Sequence, residues 1–132
     1  MRNETIMHVA GRRIVLMDSI SLIQPQDGSA VIICGSHGGA ISGAFALLHP
    51  PHFVFFNDAG GGKSDAGRAA IVMLDAKGIA SATIAHDSAR IGDAEDAWLN
   101  GRLSAAGVVA QQLGVASGQT VKAAVETVVG LK

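Results

Sequence analysis

Three short stretches gather side chains able to move a proton or hold an anion: Cys34-Gly-Ser-His-Gly-Gly39, Asn57-Asp-Ala-Gly-Gly-Gly-Lys-Ser-Asp65 and His86-Asp-Ser-Ala-Arg-Ile-Gly-Asp93. His37 and His86 are the candidates for proton transfer, since imidazole is the side chain that titrates nearest neutrality. Asp58 is read as a base or as the carboxylate that orients one of those rings. Glycines let the main chain approach a ligand and present bare N–H groups. Gly38, Gly39, Gly60, Gly61 and Gly62, with Lys63, therefore form candidate anion contacts. Arg90 offers a two-pronged donor for a carboxylate. Ser36 and Ser88 are candidates for substrate contact or nucleophile.

Each of these residues also has a purely structural reading. Ser36 can cap a following helix, and Asn57 and Asp58 can bond within their own turn. Asp65 is fully explained as a helix cap, and Arg90 can pair with Asp87 or Asp93. His49 and His52 are spaced as H-x-x-H, but two prolines lie between them and no further ligand is in register, so no metal is assigned. No cofactor is assigned. Cys34 sits in an apolar run and reads as a buried structural thiol.

Two motifs resemble known ones. His37-Gly38-Gly39 after an apolar run resembles the oxyanion loop of lipases and esterases. That family also requires a Gly-x-Ser-x-Gly nucleophile turn, and the chain has none. The second stretch resembles a phosphate-binding loop, Gly-x-x-x-x-Gly-Lys-Ser, but Asn57 stands where the first glycine belongs. Asp58 and Asp65 would also repel a triphosphate. Neither family is assigned.

The elements that must position these stretches follow from pattern. Val31–Cys34, Phe53–Phe56 and Ala80–Ala85 are short apolar runs that end in polar, glycine-rich segments. Such runs fit strands covered on both faces, as in a parallel sheet. Ligands bind beyond the carboxyl ends of those strands. Thr5–Val9 and Arg13–Met17 flank Ala10-Gly11-Arg12 and predict an N-terminal hairpin. Asp18–Ile23 is ambiguous, and Pro25–Ser29 reads as a loop. Helices are expected over Ile41–Leu48, from Ser64 or Asp65 to Ala76, from Asp93 to near Gly101, over Leu103–Leu113, and over Thr120–Val129. Trp98 is expected to anchor the short helix or to meet a partner. The fold class is α/β: a mostly parallel sheet flanked by helices, Rossmann-like and three-layered, in one domain spanning 1–132.

The chain has 132 residues, 48% of them hydrophobic and only 16% charged, against the usual charged share of about 25%. A surface so poor in charge suggests that another copy of the chain covers part of it, giving a homo-oligomer. The net charge is −1 and no stretch clusters Lys or Arg, which argues against nucleic acid. Ala40–Phe56 is too interrupted to span a membrane. With one cysteine and no apolar signal core at the N-terminus, the cytoplasm is expected.

The expected function is an enzyme using acid–base chemistry, as hydrolase, lyase or isomerase, on a small polar and anionic molecule. Two rivals stand beside it: a non-catalytic module that binds a small ligand or nucleotide, and an interaction subunit of a larger enzyme.

Overall fold

A computed structural model describes residues 2–61 and 68–130. Strands β1 (Asn3–Val9) and β2 (Arg12–Met17) form the expected hairpin. Its turn places Ala10 and Gly11 at φ 52° and 81°, the left-handed pair that suits the twist of a tight hairpin. Short 3-10 turns at Ile20–Leu22 and Pro25–Asp27 lead to β3 (Val31–His37). The second turn occupies what reads in the sequence as plain loop. Pro25 stands in its first turn, and the Asp27 carboxylate accepts the Gln24 N–H at 2.9 Å.

Helix α1 (Ala40–Leu48) follows β3 and stops before the Pro50-Pro51 pair, as the geometry before proline requires. Then come β4 (Phe53–Asn57), α2 (described from Ala69 to Asp75) and β5 (Ala80–Ile84). The expected cap at Ser64 or Asp65 lies outside the described residues. After β5 the chain forms α3 (Ala94–Asn100), with Asp93 as its cap: the Asp93 carboxylate accepts the Asp96 N–H at 3.0 Å.

The next segment corrects the sequence reading. Leu103–Leu113 is not one helix. Leu103–Ala106 is a strand, β6, antiparallel to β5, and α4 spans Val108–Gln112. Gly107 looks like a weak point inside a helix but is the helix cap. Its N–H donates to the Ser81 carbonyl at 2.9 Å, and a Cβ there would lie 2.8 Å from the Asp75 carboxylate. The partner strand, rather than local propensity, decides this stretch. Helix α5 (Val121–Val128), capped by Thr120, closes the described chain.

Among the described residues the sheet has six strands in the order β1-β2-β3-β4-β5-β6. β2 to β5 are parallel, and the two edges pair antiparallel. The sheet is therefore mixed, parallel only through its centre. Alternate residues of each strand feed two cores. Ile14, Leu16, Ile33, Phe53 and Phe55 pack against Ala97, Ala110, Val121 and Val125 from α3, α4 and α5. Val15, Ile32, Cys34, Val54 and Phe56 pack against Ala46, Ala70 and Leu74 from α1 and α2. The result is a three-layer α/β arrangement. Trp98 is partly buried at the first core, with the Lys122 Nζ 5.6 Å from its ring centre. No described helix is long and apolar enough to cross a membrane.

Candidate functional site

Because β3, β4 and β5 are parallel neighbours, the three polar stretches leave the same edge of the sheet. Main-chain bonds tie them together: Gly38 N–H to the Asn57 carbonyl at 3.0 Å, and Asp58 N–H to the Ile84 carbonyl at 2.8 Å. The segment from Ala85 to Asp93 then doubles back along the rim to reach α3 on the other face. The Asn57 side-chain amide donates to the Ala89 carbonyl at 3.0 Å, and Gly92 N–H donates to the Gly35 carbonyl at 2.7 Å. Its end is fixed by Asp18, whose two carboxylate oxygens accept Ala94 N–H at 3.0 Å and Arg2 N–H at 2.9 Å. Gly35 sits so close beneath this strap that a Cβ would lie 2.6 Å from the Asp18 carbonyl and from the Gly92 main chain.

The most developed side-chain arrangement is the pair Asp58 and His86. The Asp58 side chain is only 10% exposed, and that of His86 is 58% exposed. Asp58 Oδ1 lies 3.1 Å from His86 Nδ1 and accepts the main-chain N–H of His86 at 3.1 Å and of Gly60 at 2.8 Å. Burial works against ionisation of Asp58. The nearby Ser104 hydroxyl, the Gly60 and His86 N–H groups and the His86 ring outweigh it, so the carboxyl is held below its ordinary value. An ionised Asp58 accepts a hydrogen bond from the Nδ1–H, which leaves His86 Nε2 as the free basic nitrogen of the ring. Gly60 adopts φ 80° to let its N–H turn back onto the carboxylate, and the His86 ring lies over it.

His37 ends β3 beside Asn57, one residue before Asp58. Its ring packs on Gly39: a Cβ there would collide with the ring, 2.8 Å from Nδ1 and nearer to Cε1. Ser36 does not cap α1. Its hydroxyl oxygen accepts Ile20 N–H at 3.0 Å, and Gly39 takes the cap position without a side-chain bond. A cavity of about 410 Å³ opens between the first 3-10 turn, the end of β3 and the start of α1, with Ser36, His37, Ser42, Phe45 and Ile91 among its walls. Asp58 and His86 are not among the lining residues.

The remaining candidates divide. Ser88 is engaged in holding the loop: its hydroxyl donates to the Ala85 carbonyl at 2.7 Å and accepts Arg102 N–H at 3.0 Å. The Arg90 main chain donates to Asp96 at 2.7 Å, and its side chain is exposed with no ion pair among the described residues. Gly38 is buried, and Gly61 belongs to the 3-10 turn Ala59–Gly61. Gly62 and Lys63 lie outside the described residues. Cys34 is buried away from the rim, where desolvation pushes its thiol up to about 12. Among the described residues no three or more His, Cys, Asp or Glu side chains are grouped to hold a metal.

Three residues that sequence reasoning passed over stand at this edge. Asp18 is the polar residue that ends β2, a position like those of the other strand-end loops. Ser104 and Ser42 carry no sequence signal, because one lies in the misread β6 and the other inside an apolar helix. Comparison of the chain with family models, with curated proteins and with solved structures finds no match.

Proposed function

We propose that the protein is an enzyme that performs acid–base chemistry on a small anionic molecule at the carboxyl edge of β3, β4 and β5. The observation that carries this reading is the Asp58–His86 pair. A buried carboxylate with three donors on one oxygen fixes an exposed imidazole by its Nδ1. An oriented base of this kind is what abstraction or delivery of a proton requires. His86 is the proposed base or acid, Asp58 its positioning residue and His37 a second proton-transfer group on the neighbouring strand. Ser36, Gly38, Gly39, Gly60, Gly61, Gly62, Lys63, Ser88 and Arg90 are proposed to contact substrate. The sheet is proposed to act in the Rossmann-like manner, with its ligand at the carboxyl ends of the parallel strands.

The test is turnover. Wild-type protein and the variants His86→Ala and His37→Ala are incubated with hydroxy acids, esters, lactones and enolisable acids, and products are followed by proton NMR. One class is turned over, and each variant loses roughly 10²- to 10⁴-fold in rate. Full activity in both variants overturns the mechanism.

A non-catalytic ligand-binding module is the second reading. It is favoured by the separation of the 410 Å³ cavity from the Asp58–His86 pair. Binding without any product in the same screen selects it. The low charge of the chain and the exposed Ile41, Leu48 and Val72 support a homo-oligomer, which sedimentation at equilibrium would reject by returning a monomer mass. A single, buried cysteine accords with the cytoplasm, and the absence of a basic cluster with a partner other than nucleic acid.

A further inference from the structure

We infer that the cavity beside His37 is a binding site for an organic monocarboxylate with an apolar body, its carboxylate held by the N-terminus of α1 and the hydroxyl of Ser42. The inference rests on the proposed reading only in taking this edge as the place where a small anion is handled.

The first observation is the open helix end. α1 is nine residues long, and Gly39 caps it with no side chain. Among the described residues the N–H groups of Gly39, Ala40, Ile41 and Ser42 have no acceptor, and of these residues Ile41 and Ser42 line the cavity. Such groups point out of the helix end and carry its partial positive charge. The second observation is independent. Ser42 is only 6% exposed, lines the cavity, and has no side-chain hydrogen bond among the described residues. Its hydroxyl therefore has a proton to give to an acceptor in the cavity. Ser36 adds to this: its oxygen already accepts from Ile20, which leaves its proton free for an acceptor in the cavity.

Charge selects a carboxylate over a phosphate dianion. No Lys or Arg lines the cavity, and its ionisable lining residues are Asp18 and His37. Burial opposes ionisation of Asp18, but the Ala94 and Arg2 N–H groups outweigh it and keep the carboxyl below its ordinary value, hence negative at neutral pH. Half a unit of helix charge beside a fixed negative charge accommodates one negative charge far better than two. Apolar groups select the rest of the ligand. Ile20, Ile41, Phe45 and Ile91 line the same cavity, with Ile41 74% and Ile91 50% exposed at the surface. A volume of about 410 Å³ suits an aromatic or branched aliphatic body.

The experiment titrates the full chain, labelled with nitrogen-15, with phenylacetate, and follows the amide resonances of Gly39, Ala40, Ile41 and Ser42. Saturable shifts at those amides are expected. Phenylacetamide and the variant Ser42→Ala should each weaken the response roughly tenfold or more, the loss of one hydrogen bond involving a charged group. Inorganic phosphate should compete weakly, and acetate, lacking the apolar body, should bind more weakly than phenylacetate. The inference is overturned by no saturable shift at these amides, by equal binding of phenylacetamide, by phosphate binding as tightly as phenylacetate, or by an unchanged Ser42→Ala. His86→Ala serves as the control that separates the two proposals. Phenylacetate binding should survive in it whether or not turnover does, so loss of the catalytic reading leaves the binding result standing, and the converse.

Discussion

Asp58 Oδ1 stands 3.1 Å from the ring nitrogen Nδ1 of His86 and 3.1 Å from the main-chain nitrogen of the same residue. One oxygen thus sets both the path of the chain and the orientation of the imidazole. The neutral ring is expected to carry its proton on Nδ1, which nitrogen-15 shifts of His86 would report directly. In Asp58→Asn the ring loses its charged acceptor, and the proportion of the other tautomer should rise. A tautomer ratio unchanged by that substitution would mean that Asp58 does not orient the ring.

Acid should weaken the fold through identifiable carboxylates. Asp58 and Asp18 both have folded values below the ordinary 3.8, so the folded state binds their protons less readily than the unfolded chain. Their contribution is complete above the unfolded value and is lost as pH falls through the lower, folded one. His52 acts at higher pH. Burial first, and the Arg12 charge second, hold it below 6.5. Its protonation therefore favours the unfolded chain, and stability begins to fall as pH drops past that value. Urea melts over an acid series should show the His52 part vanish in His52→Gln and the later part diminish in Asp18→Asn.

Two glycines of the first polar stretch should respond oppositely to alanine. At Gly35 the new Cβ would lie 2.6 Å from the Asp18 carbonyl and the Gly92 main chain, with Asp93 N at 2.7 Å. Main chain on every side cannot yield, and Gly35→Ala should cost about 3 kcal/mol or more. At Gly39 the obstacle is the His37 ring, a side chain able to rotate away. Gly39→Ala should melt close to wild type while displacing His37, visible as large shifts of its ring protons. Thermal melts of the pair check the contrast, and equal destabilisation would contradict it.

Cys34 should resist thiol reagents in the folded protein. It is fully buried between β3 and the α1–α2 layer, and its thiol is pushed up to about 12 by desolvation. Labelling with a disulfide reagent should proceed only at the rate of unfolding. Fast labelling of native protein would show that this layer opens readily.

The sequence makes the polar edge legible because burial and chemistry separate cleanly there. Val31 to Cys34 and Phe53 to Phe56 are apolar without alternation, and both give way to glycine and polar residues where the strands emerge. Asp58 and His86 stand out as candidates by residue type, whereas their pairing depends on β4 and β5 lying side by side. Leu103–Ala106 is illegible for the reverse reason. Four residues with two alanines carry no period, and only the hydrogen bonds to β5 make them a strand. Ser42 escapes because its meaning lies in what surrounds it: a hydroxyl within an apolar helix looks incidental until the cavity beside it is known. Asp18 escapes because its two donors, Arg2 and Ala94, come from remote parts of the chain.

Strand order that matches chain order has a kinetic consequence. Each strand can dock on its immediate predecessor, so the sheet grows by closing modest loops. The strap over the polar edge is the exception, since it joins Gly92 to Gly35 and Ala94 to Asp18. Those closures join distant parts of the chain through single main-chain donors, so they come late in folding and are among the first to be released. Amide exchange at Gly92 and Ala94 should accordingly outpace exchange at Ile32 and Phe55, making the edge where chemistry is proposed the part of the molecule that breathes while the sheet stays shut.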